Sequence, residues 1–182
     1  MCIRDRLAED AHHIVQVTGL REYHVFGFSD GGTAAYRLAA EDTRVLSVVT
    51  VGASWSGVRD ASVREMFENL SPALFRERMA DRVASYERLN PSPHLETLVD
   101  DLRHRWLDTT ETGYLNEHVS AIKVPVLAAR GENDFLFSLQ ELAELREHLP
   151  EAHLMNVPFA SHEAISEQPG IIWAAMKTMY GL

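Results

Sequence analysis

Gly27-Phe28-Ser29-Asp30-Gly31-Gly32 lies between two runs of different character. Before it stands Tyr23-His24-Val25-Phe26, short and built of β-branched and aromatic side chains; after it comes the alanine-rich stretch 33–40. The first reads as a buried strand ending at Gly27, the second as a helix opened by the paired glycines. The six residues fit G-x-S-x-G, a pattern that carries meaning only in this strand–turn–helix setting. The need it serves is steric. A tight turn must hold the serine backbone in a strained conformation so that its hydroxyl projects beyond the sheet edge, and small residues two before and two after let strand and helix pass closely. An aspartate nucleophile at position 30 is the competing register. It would put Phe28 in the small position, where a phenyl ring is too large, so the register selects Ser29.

A serine hydroxyl is a weak nucleophile at neutral pH and needs a base to take its proton and a carboxylate to orient that base. For a serine in such a turn the order along the chain is serine, acid, histidine. Asp134 lies in the polar turn Arg130-Gly131-Glu132-Asn133-Asp134, just after the apolar run Val124-Pro125-Val126-Leu127-Ala128-Ala129. His162 lies in the loop Phe159-Ala160-Ser161-His162, after the next apolar run and before the last helix. Both fall in the required order and at the end of the sheet where Ser29 stands. Glu132 competes with Asp134 as the acid. The other histidines weighed are weaker bases by position. His153 is within a strand, His148 ends a helix where a cation is favourable anyway, His12 and His13 cannot share one helix face, and His94, His104 and His118 lie in or near the middle segment.

Working outward from the turn, the chain alternates. A helix is expected over 7–17, with Leu7, Ala11, Ile14, Val15 and Thr18 at helical spacing and Gly19 as its stop. A strand is expected over 45–51, closed by Gly52. The alternation α-β-α-β points to a parallel sheet with crossover helices. Residues 53–117 break the pattern with charges and helical spacing. Helices are expected over 58–69, 72–89 and 95–106, with Pro91-Ser92-Pro93 between the last two. The competing readings are a helical part of the same core and an inserted helical cap over a site; the cap is favoured. The alternation then resumes: strand 124–129, helix 139–149, strand 152–157 and a terminal helix 164–180 with Ile171, Ile172, Ala175 and Met179 facing inward. The expected organisation is 1–52, 53–117 and 118–182.

The 182 residues carry 17 basic and 27 acidic side chains, a net charge of -10 that repels phosphate backbones and anionic lipid. Neither a nucleic-acid nor a membrane partner is expected. Apolar residues make up 46% and charged residues 24%, so a folded domain rather than disorder is expected. The lone Cys2 offers no intramolecular disulfide. No apolar run is long enough to span a bilayer, and Arg4, Asp5, Arg6, Glu9 and Asp10 interrupt any secretory signal; a cytoplasmic location is expected. No H-E-x-x-H, paired-cysteine, G-x-G-x-x-G or P-loop spacing occurs, so no metal and no cofactor is expected.

With these motifs in hand, the sequence resembles the α/β-hydrolase superfamily over nearly its whole length. The resemblance rests on Gly27 to Gly32, on Val124-Pro125-Val126-Leu127 leading to Asp134, and on Ser161-His162-Glu163 followed by Glu167-Gln168-Pro169. It implies that Ser29 attacks an acyl carbonyl of a small-molecule substrate, with His162 as general base and then acid, Asp134 as its orienting group and the backbone N–H of Asp30 as an oxyanion-hole donor. The Ser-Asp-Gly-Gly form of the turn, followed by a helical cap, looks like that of the valacyclovir hydrolase-like branch, which includes an esterase for amino-acid esters. By that likeness the Asp30 side chain would meet a substrate ammonium. The alternative is that Asp30 supports the N-terminus of the following helix. Phe28 is expected beside Asp30 at the substrate site.

One departure stands against the family pattern. Members carry several strands and an oxyanion loop before the turn, whereas Ser29 follows only 28 residues. The chain is therefore expected to be the C-terminal part of a longer α/β-hydrolase, with Met1 to Arg6 foreign to it and the second oxyanion donor missing. The first strand would become an exposed apolar edge. Other open readings keep the serine but change the substrate to a lactone, an amide, a carbon–carbon bond or a peroxide exchange, or make the chain a non-catalytic binding protein. Oligomeric state stays open.

Overall fold

In the computed structural model of the chain, residues 3–182 are described, with side chains from Leu7 onward. Met1 and Cys2, and with them the reading of the lone cysteine, lie outside the described residues. Four parallel strands form one sheet in the order β1 (Tyr23–Phe28), β2 (Val45–Val51), β3 (Val126–Gly131) and β4 (His153–Val157). Every connection is a crossover, as parallel pairing demands. β1 stands at one edge of the sheet, with Phe26 43% exposed.

The two central strands are buried on both faces, and the sequence shows why. β2 is Val-Leu-Ser-Val-Val-Thr-Val, and Val48, Val49 and Val51 are wholly excluded from solvent. On one face α2 (Asp30–Glu41), α7 (Leu139–His148) and a short 3-10 helix (Asn116–Ala121) pack Tyr36, Val119, Leu142 and Leu145, with Phe137 from the loop before α7, against Val48 and Ala128. On the other face Val51, Ala129 and Val157 meet Ala160, Ala164 and Ile172, the last from α9 (Pro169–Tyr180). Burying one such aliphatic side chain stabilises the fold by about 1.5–3 kcal/mol. α1 (Ile3–Thr18) lies against α2 and starts four residues earlier than the apolar spacing implies. It turns Ala8, Ala11 and Val15 inward and leaves Leu7 and Ile14 exposed.

Between β2 and β3 the chain is helical: α3 (Ala61–Glu68), α4 (Pro72–Arg78), α5 (Ala80–Leu89) and α6 (Leu95–Leu107). Helix 72–89 is in fact two, because Met79 leaves the helical region at φ -131°, ψ 37°. The bend lets α4 aim Leu74 and Phe75 at a cavity while α5 buries Val83 against Leu95 and Val99. Helix 164–180 is also two, α8 (Ala164–Glu167) and α9, because Gln168 precedes Pro169 and cannot stay helical. Ile172 and Met176, rather than Ile171, face inward on α9. None of the described helices is long and apolar enough to cross a membrane.

Candidate active site

Ser29 sits where β1 turns into α2, with φ 52° and ψ -124°, a region that residues other than glycine rarely occupy. Its N–H donates to Val51 O, and its carbonyl accepts from Gly32 and Thr33, so the strained turn is held on both sides. Two glycines make the crossing possible. A Cβ on Gly27 would lie 2.4 Å from Gly31 O, and one on Gly32 would lie 2.4 Å from Ala53 Cβ. Gly31 faces open space, so the tight position after the serine is Gly32, not Gly31 as the spacing suggested.

The turn after β3 carries Asp134, 4% exposed. Its Oδ1 accepts from Leu136 N–H at 2.9 Å and Phe137 N–H at 3.2 Å. Buried Arg130 braces the same turn. Its guanidinium donates to the carbonyls of Phe137, Asp134 and Glu132 and to Asn156 Oδ1. Desolvation pushes the Arg130 pKa down. Glu132, the competing acid, is occupied elsewhere, accepting from Phe159 N–H at 2.9 Å.

The loop after β4 carries His162. Glu167 fastens this loop by accepting from both the N–H and the hydroxyl of Ser161, which also hold its carboxyl below its usual range. His162 Nδ1 lies 3.1 Å from both Asp134 oxygens, and its Nε2 lies 3.0 Å from Ser29 Oγ. A carboxylate only accepts, so Nδ1 carries the proton and Nε2 is left to accept from the hydroxyl. Gly52, at φ 59°, makes room for the ring: a Cβ there would lie 3.0 Å from His162 Cε1 and Nδ1. The sequence marks Gly52 as a strand end, Arg130 as part of the polar turn and Glu167 as part of the motif behind His162, but no local pattern assigns any of them a part in the site.

Ser29 and His162 open onto a cavity of about 300 Å³. Its walls are mostly apolar and come from the helical segment: Met66, Phe67, Leu74, Phe75 and Trp106, with Phe135 and Leu136 from the Asp134 turn. Phe28 is not among the lining residues. Its ring packs on the His162 imidazole, 5.2 Å between centroids. Asp30 does line the cavity, but its carboxylate is engaged. Oδ2 accepts from Arg105 Nη1 at 3.1 Å and Trp106 Nε1 at 2.9 Å. Its charge is met by Arg105, which is 8% exposed, so a substrate ammonium at Asp30 would have to share the carboxylate with that partner. Asp30 instead ties α6 to the first turn of α2. The remaining histidines are elsewhere: His148 stacks on Trp55, His153 is exposed, His12 meets Asp42, His104 meets Asp100 and His118 meets Glu111. Among the described residues no cluster of His, Cys, Asp and Glu is arranged to hold a metal ion.

No family model matches the sequence, and no curated protein matches it. Solved structures do. The chain is similar in fold to 2-hydroxy-6-oxo-6-phenylhexa-2,4-dienoate hydrolase from Rhodococcus sp. strain RHA1, at TM-score 0.76 and 17% identity over 96% of this chain and 69% of that one. It is similar to a carboxylesterase of the thaumarchaeon Nitrososphaera gargenis, at TM-score 0.68 and 16% identity over 98% of this chain and 71% of that one. A third likeness is to an alpha/beta hydrolase from a Medee basin deep-sea metagenome library, at TM-score 0.68 and 20% identity over 96% and 70%. The chain thus spans about seven-tenths of each.

Proposed function

We propose, on the premise that this chain has the α/β-hydrolase fold, that it is a serine hydrolase cleaving a small ester or related acyl substrate. The observation that carries the reading is the hydrogen-bonded line Ser29–His162–Asp134 at the wall of an apolar cavity. Ser29 Oγ bonds to the substrate carbonyl carbon while its proton passes to His162 Nε2. Asp134 stabilises the imidazolium without taking the proton. The carbonyl oxygen, now negative, accepts from the backbone N–H of Asp30, in the first turn of α2. Collapse of the tetrahedral adduct expels the alcohol, which leaves with the proton from Nε2. Water then attacks the acyl-enzyme by the same route and releases the acid and free Ser29.

The helical segment 53–117 serves as a cap in this reading, set between core parts 1–52 and 118–182. The side chains of Met66, Phe67, Phe75 and Trp106 along the cavity support that role. The test is labelling of the folded chain with a fluorophosphonate probe and mapping of the adduct by mass spectrometry. Such a probe requires an activated serine. Modification at Ser29 that disappears in His162→Ala is expected; a folded chain left unmodified would overturn the reading.

A further inference from the structure

Three titratable side chains line the cavity beside Ser29: Asp30, His162 and Arg78. Two of them already have their charge or polarity met. Asp30 is tied to Arg105 and Trp106, and His162 stands between Asp134 and Ser29. Arg78 differs. It ends α4, and no hydrogen bond or ion pair of its guanidinium occurs among the described residues. Its neighbours behave otherwise: Arg76 on the same turn is bonded to Glu87, and Arg82 on the next helix to Glu163. The cavity lining thus includes Ser29, apolar side chains and, from the last turn of α4, the exposed cation Arg78.

We infer that this site takes substrates with an apolar body and a carboxylate remote from the bond that is cut, the carboxylate pairing with Arg78. The inference rests on the hydrolase reading for the reaction, but the recognition itself is a matter of binding. A guanidinium matches a carboxylate with two parallel N–H donors. The Leu74 and Phe75 side chains beside it would carry the aliphatic part of the substrate. The protein's net charge of -10 repels an anion at long range, so the attraction is local. It will show as a choice between substrates rather than as fast association.

The experiment uses Ser29→Ala in the full chain, so that bound esters stay intact, and reads affinity by calorimetry. Monoethyl adipate and monoethyl suberate are compared with ethyl hexanoate and ethyl octanoate, which have the same chain lengths without the carboxylate. The acid monoester is expected to bind about threefold tighter at one length or both. That ratio should fall to near one when Arg78→Gln is added and recover in part with Arg78→Lys. It should persist in Arg88→Gln, which removes an exposed arginine outside the cavity lining. No preference at either length, or a preference that survives Arg78→Gln, overturns the inference. A preference of the expected kind in a chain whose Ser29 resists the fluorophosphonate probe would sustain Arg78 as the anion site and remove the hydrolase reading.

Discussion

Gly52 and Gly31 make a matched pair of tests at the level of single residues. A methyl group at position 52 would press on the His162 ring and demand a positive φ of a side-chain-bearing residue, whereas one at position 31 meets open space. Displacing a base by a fraction of an ångström is costly, since a misplacement of about 1 Å can remove about a hundredfold in rate. Gly52→Ala is thus expected to lower kcat/KM for a test ester by about 10²-fold, and Gly31→Ala to change it little. Equal losses in the two variants would remove the role given to Gly52. Asp30 offers a second test. Because Arg105 and Trp106 already occupy its carboxylate, Asp30→Asn should slow amine-bearing and amine-free esters by the same factor. A loss confined to the amine-bearing ester would restore the ammonium site. Asp42 gives a pH test. Hydrogen bonds from Arg44 first, and from Tyr23, hold its carboxyl well below the usual range despite burial. Its ionised form is favoured in the fold, so its contribution is whole above about pH 4 and is lost as pH falls below that. The Tm gap between the natural chain and Asp42→Asn should therefore be constant near neutrality and narrow in acid.

Secondary-structure elements differ in how far the amino-acid pattern reveals them. β2 runs over the seven residues that the β-branched run implies, because a central strand covered on both faces reads as a nearly continuous apolar and β-branched run, here interrupted only by Ser47 and Thr50. α7 is equally plain: Ser138 and Glu141 form a reciprocal capping box at its start. Ser138→Ala is expected to cost about 1 kcal/mol in urea denaturation. The breaks were less legible. Pro169 did signal the division of the last helix, through the constraint it places on Gln168, but the break at Met79 has no such local mark. It comes from two burial demands in different directions, which only the packed fold contains. The site divides the same way. Ser29, Asp134 and His162 stand out by motif, order and loop position. Arg105 is 75 positions from Asp30, and nothing local announces their pairing.

Across the whole molecule, Ser29, Asp134 and His162 come from the ends of three strands, and long stretches of chain separate them. Asp134 and His162 are 28 residues apart, whereas His162 and Ser29 are 133 apart with the helical segment between. β1 and β2 carry the serine and its turn; β3 and β4 carry the acid and base. The exposed stretch Pro91-Ser92-Pro93 joins α5 to α6 between those two pairs of strands. Severing the chain there would give two polypeptides, one holding Ser29 and the other Asp134 and His162. Neither alone holds a complete line of proton transfer. Their re-association across the β2–β3 seam, coexpressed or mixed, should restore Ser29 labelling in proportion to the reassembled fraction. Labelling at one serine would then count how many halves have found each other.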